Sequence, residues 1–317
     1  MAAPTGDEGL TAAGRAVGID IGGTKIAIAT VDMAGAVLRE TTFPTESSQG
    51  FASGLLHIRE AVTRVVADTG WTTQDLAGIG IGCAGPVDPV RGTIHNPHTL
   101  PGWVDADIVS PLREAFACPV VLENDADMAL LGECRSGAGR GFDPVVMLTF
   151  GTGIGGAAVR GGVLLRGVGG EHPELGHLPA DPGGPRCYCG ASGCFESLAS
   201  GTALTAAARI VGLSDGAELL TRAREGEDTA RRIRADALAA TASATWTILH
   251  TLLPERIVLG GGMMDEHFEV FAEAVRGAVE RATLVPPRRI TVAPAELGWR
   301  AGVVGAAGAA MAAAGRD

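Results

Sequence analysis

Residues 16–43 read AVGIDIGGTKIAIATVDMAGAVLRETTF, and residues 145–166 read VVMLTFGTGIGGAAVRGGVLLR. Each begins with a short β-branched, apolar run that ends in a glycine turn. A second run follows, then a second turn, then a third run. Glycine-cornered hairpins are common one at a time, so the weight lies on the recurrence. A strand meander that opens each half of a chain predicts an internal duplication of architecture.

The segments around these stretches fit an α/β chain. Leu55, Ile58, Val62, Val65 and Val66 have helical spacing within residues 51–69. AGIGIGCAG (77–85) and PVVLEN (119–124) read as buried strands, with helices expected near 107–116 and over Ala126–Arg135. Asn124-Asp125 can cap the latter helix. In the second half Asp228–Leu253 is the longest helical stretch, RIVLGGG (256–262) and RRITVAP (288–294) read as strands, and AGVVGAAGAAMAAAGRD (301–317) as a small-residue helix suited to close packing. Residues 1–14 are small and polar and are expected to fray. No Pro/Ser-rich linker separates the halves, which predicts lobes joined by a hinge.

Composition narrows the function. The 317 residues carry a net charge of −11, which disfavours binding to a phosphate backbone. Forty-seven glycines with 4% aromatics indicate tight turns and close backbone approaches. No apolar run is long enough for a membrane span, and the start shows no basic-then-apolar signal, so a cytoplasmic location and no membrane partner are expected.

Three glycine loops follow strands. In Asp20-Ile-Gly-Gly-Thr-Lys25, the amides of Gly22 and Gly23 can approach phosphate oxygens, Thr24 adds a hydroxyl, and Lys25, the only lysine, adds a cation. Asp20, ending the strand, is placed to hold Mg²⁺ through water. Gly151, Thr152 and Gly153 offer the same chemistry from the other half, and Gly260, Gly261 and Gly262 offer bare backbone to an adenine or ribose. The chain lacks G-x-x-x-x-G-K-[ST], and Gly151–Gly156 opens into a strand, which argues against P-loop and dinucleotide-binding readings. Three such loops with an acidic strand end fit a two-lobed phosphotransferase cleft.

Cys83, Cys118 and Cys134 lie among apolar neighbours and read as core thiols. Cys187, Cys189 and Cys194 are crowded together ten residues after His177 and make a Cys₃His set suited to structural Zn²⁺. His172 competes for the fourth position. In a reducing compartment such thiols are poor disulfide material.

Together the motifs DIGGTK (20–25), ENDA (123–126), TFGTGIGG (149–156), GGEHPELGH (169–177), CYCGASGCFES (187–197) and LGGG (259–262) resemble those of the ROK family of sugar kinases and repressors, and within it the glucokinases. The resemblance implies a two-lobed, actin-like (ribonuclease H-like) α/β ATPase fold with nucleotide and sugar in the interlobe cleft. It implies a small lobe of residues 15–122 plus a C-terminal helix at about 300–317. Residues 123–299 would form a large lobe carrying the zinc loop and dimerisation helices, in a homodimer or homotetramer. Asp125 would be the catalytic base. Gly85, Asn96, Asn124, Asp125, Glu174, His177 and Glu196 would line the sugar site, and His177 would share Zn²⁺ with the three cysteines. The implied reaction is transfer of the ATP γ-phosphoryl group to the 6-hydroxyl of D-glucose, with Mg²⁺. Alternatives are kinases of fructose, mannose, allose or an N-acetylhexosamine, or polyphosphate as donor. A repressor of the family needs an N-terminal helix-turn-helix, and about 15 residues precede the first strand here.

Overall fold

The computed structural model describes residues 14–168, 170–286 and 289–315, so most of the start expected to fray lies outside it. The chain forms two compact units, residues up to Ser136 with those from Arg300 onward, and Gly137–Trp299.

In the first unit β1 (Arg15–Ile21), β2 (Lys25–Asp32) and β3 (Val37–Pro44) form the expected meander. Helix α1 (Phe51–Asp68) leads to β4 (Gly78–Cys83). Three two-residue strands, β5 (Val87–Asp88), β6 (Thr93–Ile94) and β7 (Ala106–Asp107), form a small separate sheet that no sequence pattern announced. Then follow α2 (Val109–Phe116), β8 (Val120–Asn124) and α3 (Asp125–Ser136). The main sheet has the order β3-β2-β1-β4-β8, with β1, β4 and β8 parallel and β2 and β3 antiparallel.

The second unit repeats that plan. It contains β9 (Val145–Phe150), β10 (Ile154–Arg160) and β11 (Val163–Leu164), then α4 (Phe195–Ala199), α5 (Gly201–Ile210), α6 (Gly216–Glu225) and α7 (Asp228–Leu252). It ends with β12 (Arg256–Gly260), α8 (Met264–Arg281) and β13 (Thr291–Pro294). Its sheet order is β11-β10-β9-β12-β13, and the parallel and antiparallel senses match those of the first. The predicted duplication is therefore one of topology. Phe150 packs edge-on against Phe195 at 5.7 Å and at a 55° tilt against Phe271 at 5.0 Å, so sheet and helices share one core.

The last helix, α9 (Arg300–Ala314), belongs to the first unit. Strand alternation explains how it packs. In β1 the residues Val17, Ile19 and Ile21, and in β4 Ile79, Ile81 and Cys83, face a core of large side chains from α1 and α2. The alternate positions are Ala16, Gly18 and Asp20 in β1, and Gly78, Gly80 and Gly82 in β4. A Cβ on Gly18 would lie 1.8 Å from the Val303 carbonyl oxygen, and one on Gly80 1.8 Å from that of Ala306. On the helix side, a Cβ on Gly305 would lie 1.7 Å from the carbonyl oxygen of Met128 in α3. Sheet, α3 and α9 thus meet backbone to backbone. This contact is why α3 falls in the first unit, which extends to Ser136 where the sequence reading divided the lobes after residue 122. Among the described residues no helix is long and apolar enough to cross a membrane.

Candidate active site

In the first unit, the parallel strands β1, β4 and β8 end together. Asp20 pairs with Gly82, and Cys83 with Asn124, at the carboxyl ends of these strands, where parallel sheets place ligands. Asn124 is buried and its Oδ1 accepts from the Ala126 N–H at 2.8 Å, capping α3. Asp125 is the first residue of that helix, and its Oδ1 accepts from the same N–H at 2.9 Å. Burial, then the Asp125 carboxylate, push Asp20 up to about 7, and Lys25 partly offsets them. Burial, Asp125 and Asp20 also raise the Cys83 thiol. This corner carries more negative charge than it can comfortably ionise.

The turn between β1 and β2 closes by Gly22 N–H donating to the Lys25 carbonyl at 3.0 Å, and the Thr45 hydroxyl donates to the Gly22 carbonyl at 2.6 Å. Neither Gly22 nor Gly23 takes a positive φ. Gly23 is required for space, since a Cβ there would lie 2.3 Å from Thr99 Cγ2. Gly85 has a similar constraint, with Asn124 Nδ2 at 2.8 Å from its ideal Cβ. Asn96 is buried and organises its own loop: Nδ2 donates to the Ala84 carbonyl at 3.2 Å, and Oδ1 accepts from the His98 and Thr99 amides.

In the second unit, Gly151, Thr152 and Gly262 border one cavity of about 820 Å³. Its other walls come from α5, α6 and the start of α8, including Thr202, Thr205, Asp215, Met263 and His267. The Gly201 and Thr202 amides donate to the Gly151 and Thr152 carbonyls at 2.9 and 3.1 Å, tying α5 to the loop. Burial depresses the pKa of His267, which borders this space. Gly261 has φ 88° and passes so close to Phe150 that a Cβ would lie 2.3 Å from its carbonyl oxygen. Gly260 packs against Met147 at the end of β12.

Gly153 faces Glu196, whose Oε2 would lie 2.4 Å from a Cβ there and accepts from the Ile154 N–H at 2.8 Å. The glycine loop and the first turn of α4 are thereby locked together. Glu174 is exposed, and its Oε1 lies 3.2 Å from His172 Nε2. That hydrogen bond, chiefly, holds its carboxyl below the usual range.

His172 is thus engaged elsewhere, and the fourth ligand-type residue beside the thiols is His177. The ligand atoms of His177, Cys187, Cys189 and Cys194 all lie within 4.8 Å of one another. Cys187 Sγ is 3.4 Å from His177 Nδ1, and Cys189 Sγ 3.5 Å from Cys194 Sγ. Tetrahedral bonds of about 2.3 Å have edges of about 3.8 Å, so this donor set fits Zn²⁺. The Ala191 amide lowers the Cys189 pKa, whereas burial pushes Cys194 up to about 12. A divalent cation is what would let such crowded thiols ionise. His177 Nε2 turns the other way, 3.1 Å from the Tyr188 hydroxyl.

Sequence reading found the loops but missed the cavity walls in α5, α6 and α8. Those residues have ordinary helical neighbours and carry no motif. Only the Asp215 N-cap, which accepts from the Glu218 amide at 2.9 Å, left a local signal.

The ROK family model matches residues 16–313. Thermotoga maritima glucokinase is 34% identical over 265 residues, 78% of this chain and 82% of that protein. Escherichia coli N-acetylmannosamine kinase is 35% identical over 217 residues, 68% and 72% of the two chains. The solved ROK family glucokinase of Streptomyces griseus, in complex with glucose and AMPPNP, is 31% identical with a TM-score of 0.75, covering 93% of this chain and 99% of that one.

Proposed function

The chain belongs to the ROK family, and from that premise we propose that it is an ATP-dependent glucokinase. The observation that carries this reading is the likeness, along nearly the whole chain, to a glucokinase solved with glucose and AMPPNP. The chemistry of the residues supports it.

Asp125 acts as the base. Its Oδ1 is held by the Ala126 amide, which orients the carboxylate to accept the proton of the 6-hydroxyl as that oxygen attacks the γ-phosphorus. The β,γ-bridging bond then breaks and ADP leaves. Sugar hydroxyls are donors and acceptors at once; the first unit offers them Asn124, Gly85 and Asn96, and the second offers them Glu174, His177 and Glu196. In the first unit Gly22, Gly23, Thr24 and Lys25 offer amides, a hydroxyl and a cation to phosphate oxygens, and in the second unit Gly151, Thr152 and Gly153 offer the same kind of loop. The nucleoside lies in the cavity bordered by Gly151, Thr152 and Gly262, and Gly260 and Gly261 give that loop its shape.

Asp20 would hold Mg²⁺ through water, and the ion would neutralise phosphate charge. Zn²⁺ on His177, Cys187, Cys189 and Cys194 would fix the imidazole ring and the segment carrying Glu174. The test is a coupled assay of hexose phosphorylation across glucose, mannose, fructose, allose and the N-acetylhexosamines, with ATP and with polyphosphate. Glucose with ATP is expected to give the highest kcat/KM. A higher value for N-acetylmannosamine, which the likeness to its kinase makes the second reading, would overturn the substrate assignment.

A further inference from the structure

The connection from β6 to β7 carries Asn96, and its two ends face each other. Ile94 pairs with Ala106, so His95 and Asp105 are the next opposed positions, where antiparallel neighbours bring their side chains together. Two backbone bonds fasten this neck: the Asp105 N–H donates to the Ile94 carbonyl at 2.7 Å, and the His95 N–H to the Pro86 carbonyl at 2.9 Å. The side chains add two more. His95 Nδ1 is 2.6 Å from Asp105 Oδ1, and His95 Nε2 is 2.8 Å from Thr93 Oγ1. A carboxylate can only accept, so Nδ1 carries the proton and donates to Asp105; in the neutral ring Nε2 then accepts from the Thr93 hydroxyl. Asp105 itself sits at φ 59°, a left-handed conformation that Asp tolerates better than most residues.

We infer that His95 and Asp105 are positioning residues for the sugar, acting through Asn96. Asn96 Oδ1 accepts from the His98 and Thr99 amides at 3.1 and 2.8 Å, which uses both of its lone pairs, and Nδ2 donates to the Ala84 carbonyl at 3.2 Å. A side-chain amide has two N–H groups, so one is left to donate to a sugar oxygen. The loop sets the direction of that N–H, because all three bonds end on backbone, two within the loop and one on the residue before Gly85. Asn96 follows His95 directly. Releasing the neck therefore lets the loop, and the remaining N–H with it, pivot against Ala84 and Gly85. Neither residue of the pair needs to touch the sugar. With side chains 37% and 76% exposed, their bond is worth little by itself, and its use is to hold a direction. The inference rests on the sugar-kinase reading, which makes Asn96 a sugar ligand.

Three substitutions in the full-length protein separate the two bonds of the ring. The amide nitrogen of asparagine falls at the place of Nδ1, and that of glutamine near the place of Nε2. His95→Asn is therefore expected to keep the bond to Asp105 and a glucose KM close to wild type. His95→Ala and His95→Gln lose that bond, and each is expected to raise the glucose KM about two- to fivefold, the range of an exposed pair, with kcat changing less than about twofold. On an Asn96→Ala background, His95→Ala is expected to raise KM no further, because the route to the sugar is already gone. An unchanged KM in His95→Ala overturns the inference alone. So do equal KM values in His95→Asn and His95→Gln, a fall in kcat without a rise in KM, and a further rise of the same size on the Asn96→Ala background. If the wild-type protein phosphorylates no hexose, the sugar-kinase reading falls and the inference with it. If it prefers another hexose, only the substrate assignment falls, and the same comparison of KM values is made with that sugar.

Discussion

Asp125 and Asp20 show how position on a strand end sets the chemistry of a carboxylate. Asp125→Ala is expected to lower kcat by about 10²- to 10⁴-fold, the usual contribution of a positioned base. Circular dichroism and glucose binding should stay close to wild type, and substantial residual turnover would refute its role. Asp20 behaves differently. Its native value of about 7 lies above the ordinary 3.8, so between these values the native chain keeps a proton that the unfolded chain has released. Stability attributable to this group therefore declines as pH rises from about 4 to 7, and the loss is complete above that, roughly 4 kcal/mol in all. Asp20→Asn, in chelator-treated protein, is expected to melt higher than wild type at pH 8, with the gap closing toward pH 4. A gap independent of pH would show that burial, Asp125 and Lys25 do not act on Asp20 as argued. Gly153→Ala tests the lock between loop and carboxylate. Its Cβ would meet only the flexible end of Glu196, so the melting temperature should change little while glucose KM rises about tenfold, the value of one displaced hydrogen bond.

Among the elements, α9 is the most demanding. Its seat is made of absent side chains, and no rotamer change can relieve a Cβ directed at a carbonyl oxygen. Gly80→Ala is expected to cost about 3 kcal/mol, at the upper end of overpacking, read from the urea midpoint. Gly277→Ala, inside α8, is the contrast, because its Cβ would meet only an Arg281 Nη1 atom at 3.2 Å. That change should be neutral or stabilising by up to about 1 kcal/mol. Equal losses from the two would mean that glycine content, and not the helix–sheet approach, limits stability. The helix is also tied at its start by Arg300, which donates from Nε and Nη2 to the two Glu40 oxygens at 2.8 Å each. The pair is partly exposed and adds at most about 1 kcal/mol, so the steric fit dominates.

For the whole molecule, two sheets of the same order and senses carry different equipment. The first unit holds the carboxylate corner, and the second the cavity and the Cys₃His cluster. Elemental analysis is expected to give about one zinc per chain. Stripping the metal with a chelator should lower the melting temperature of the second unit and weaken glucose binding, because the ligand loop loses a bond network that contributes folding energy. A metal-free protein of unchanged stability and affinity would refute the zinc assignment.

Much of this was legible in the chain as written. Periodicity placed the meanders, because a glycine corner between β-branched runs has few other solutions. The recurrence at 145–166 implied the duplicated plan that both sheets follow, and crowding of Cys187, Cys189 and Cys194 implied a metal-type cluster, since local spacing brings their thiols together. Other features were decided only by tertiary packing. The unit boundary at Ser136 follows from α3 packing on α9, a contact between segments far apart in sequence. The choice of His177 over His172 depended on which ring turns toward the thiols, and the role of Gly23, Gly80 and Gly153 on which atom approaches each one. The cavity walls drawn from α5, α6 and α8 left almost no trace in the sequence. The physical reason is common to all four: a local pattern records the conformation of a segment, whereas the neighbour that a side chain meets is set by how distant segments pack.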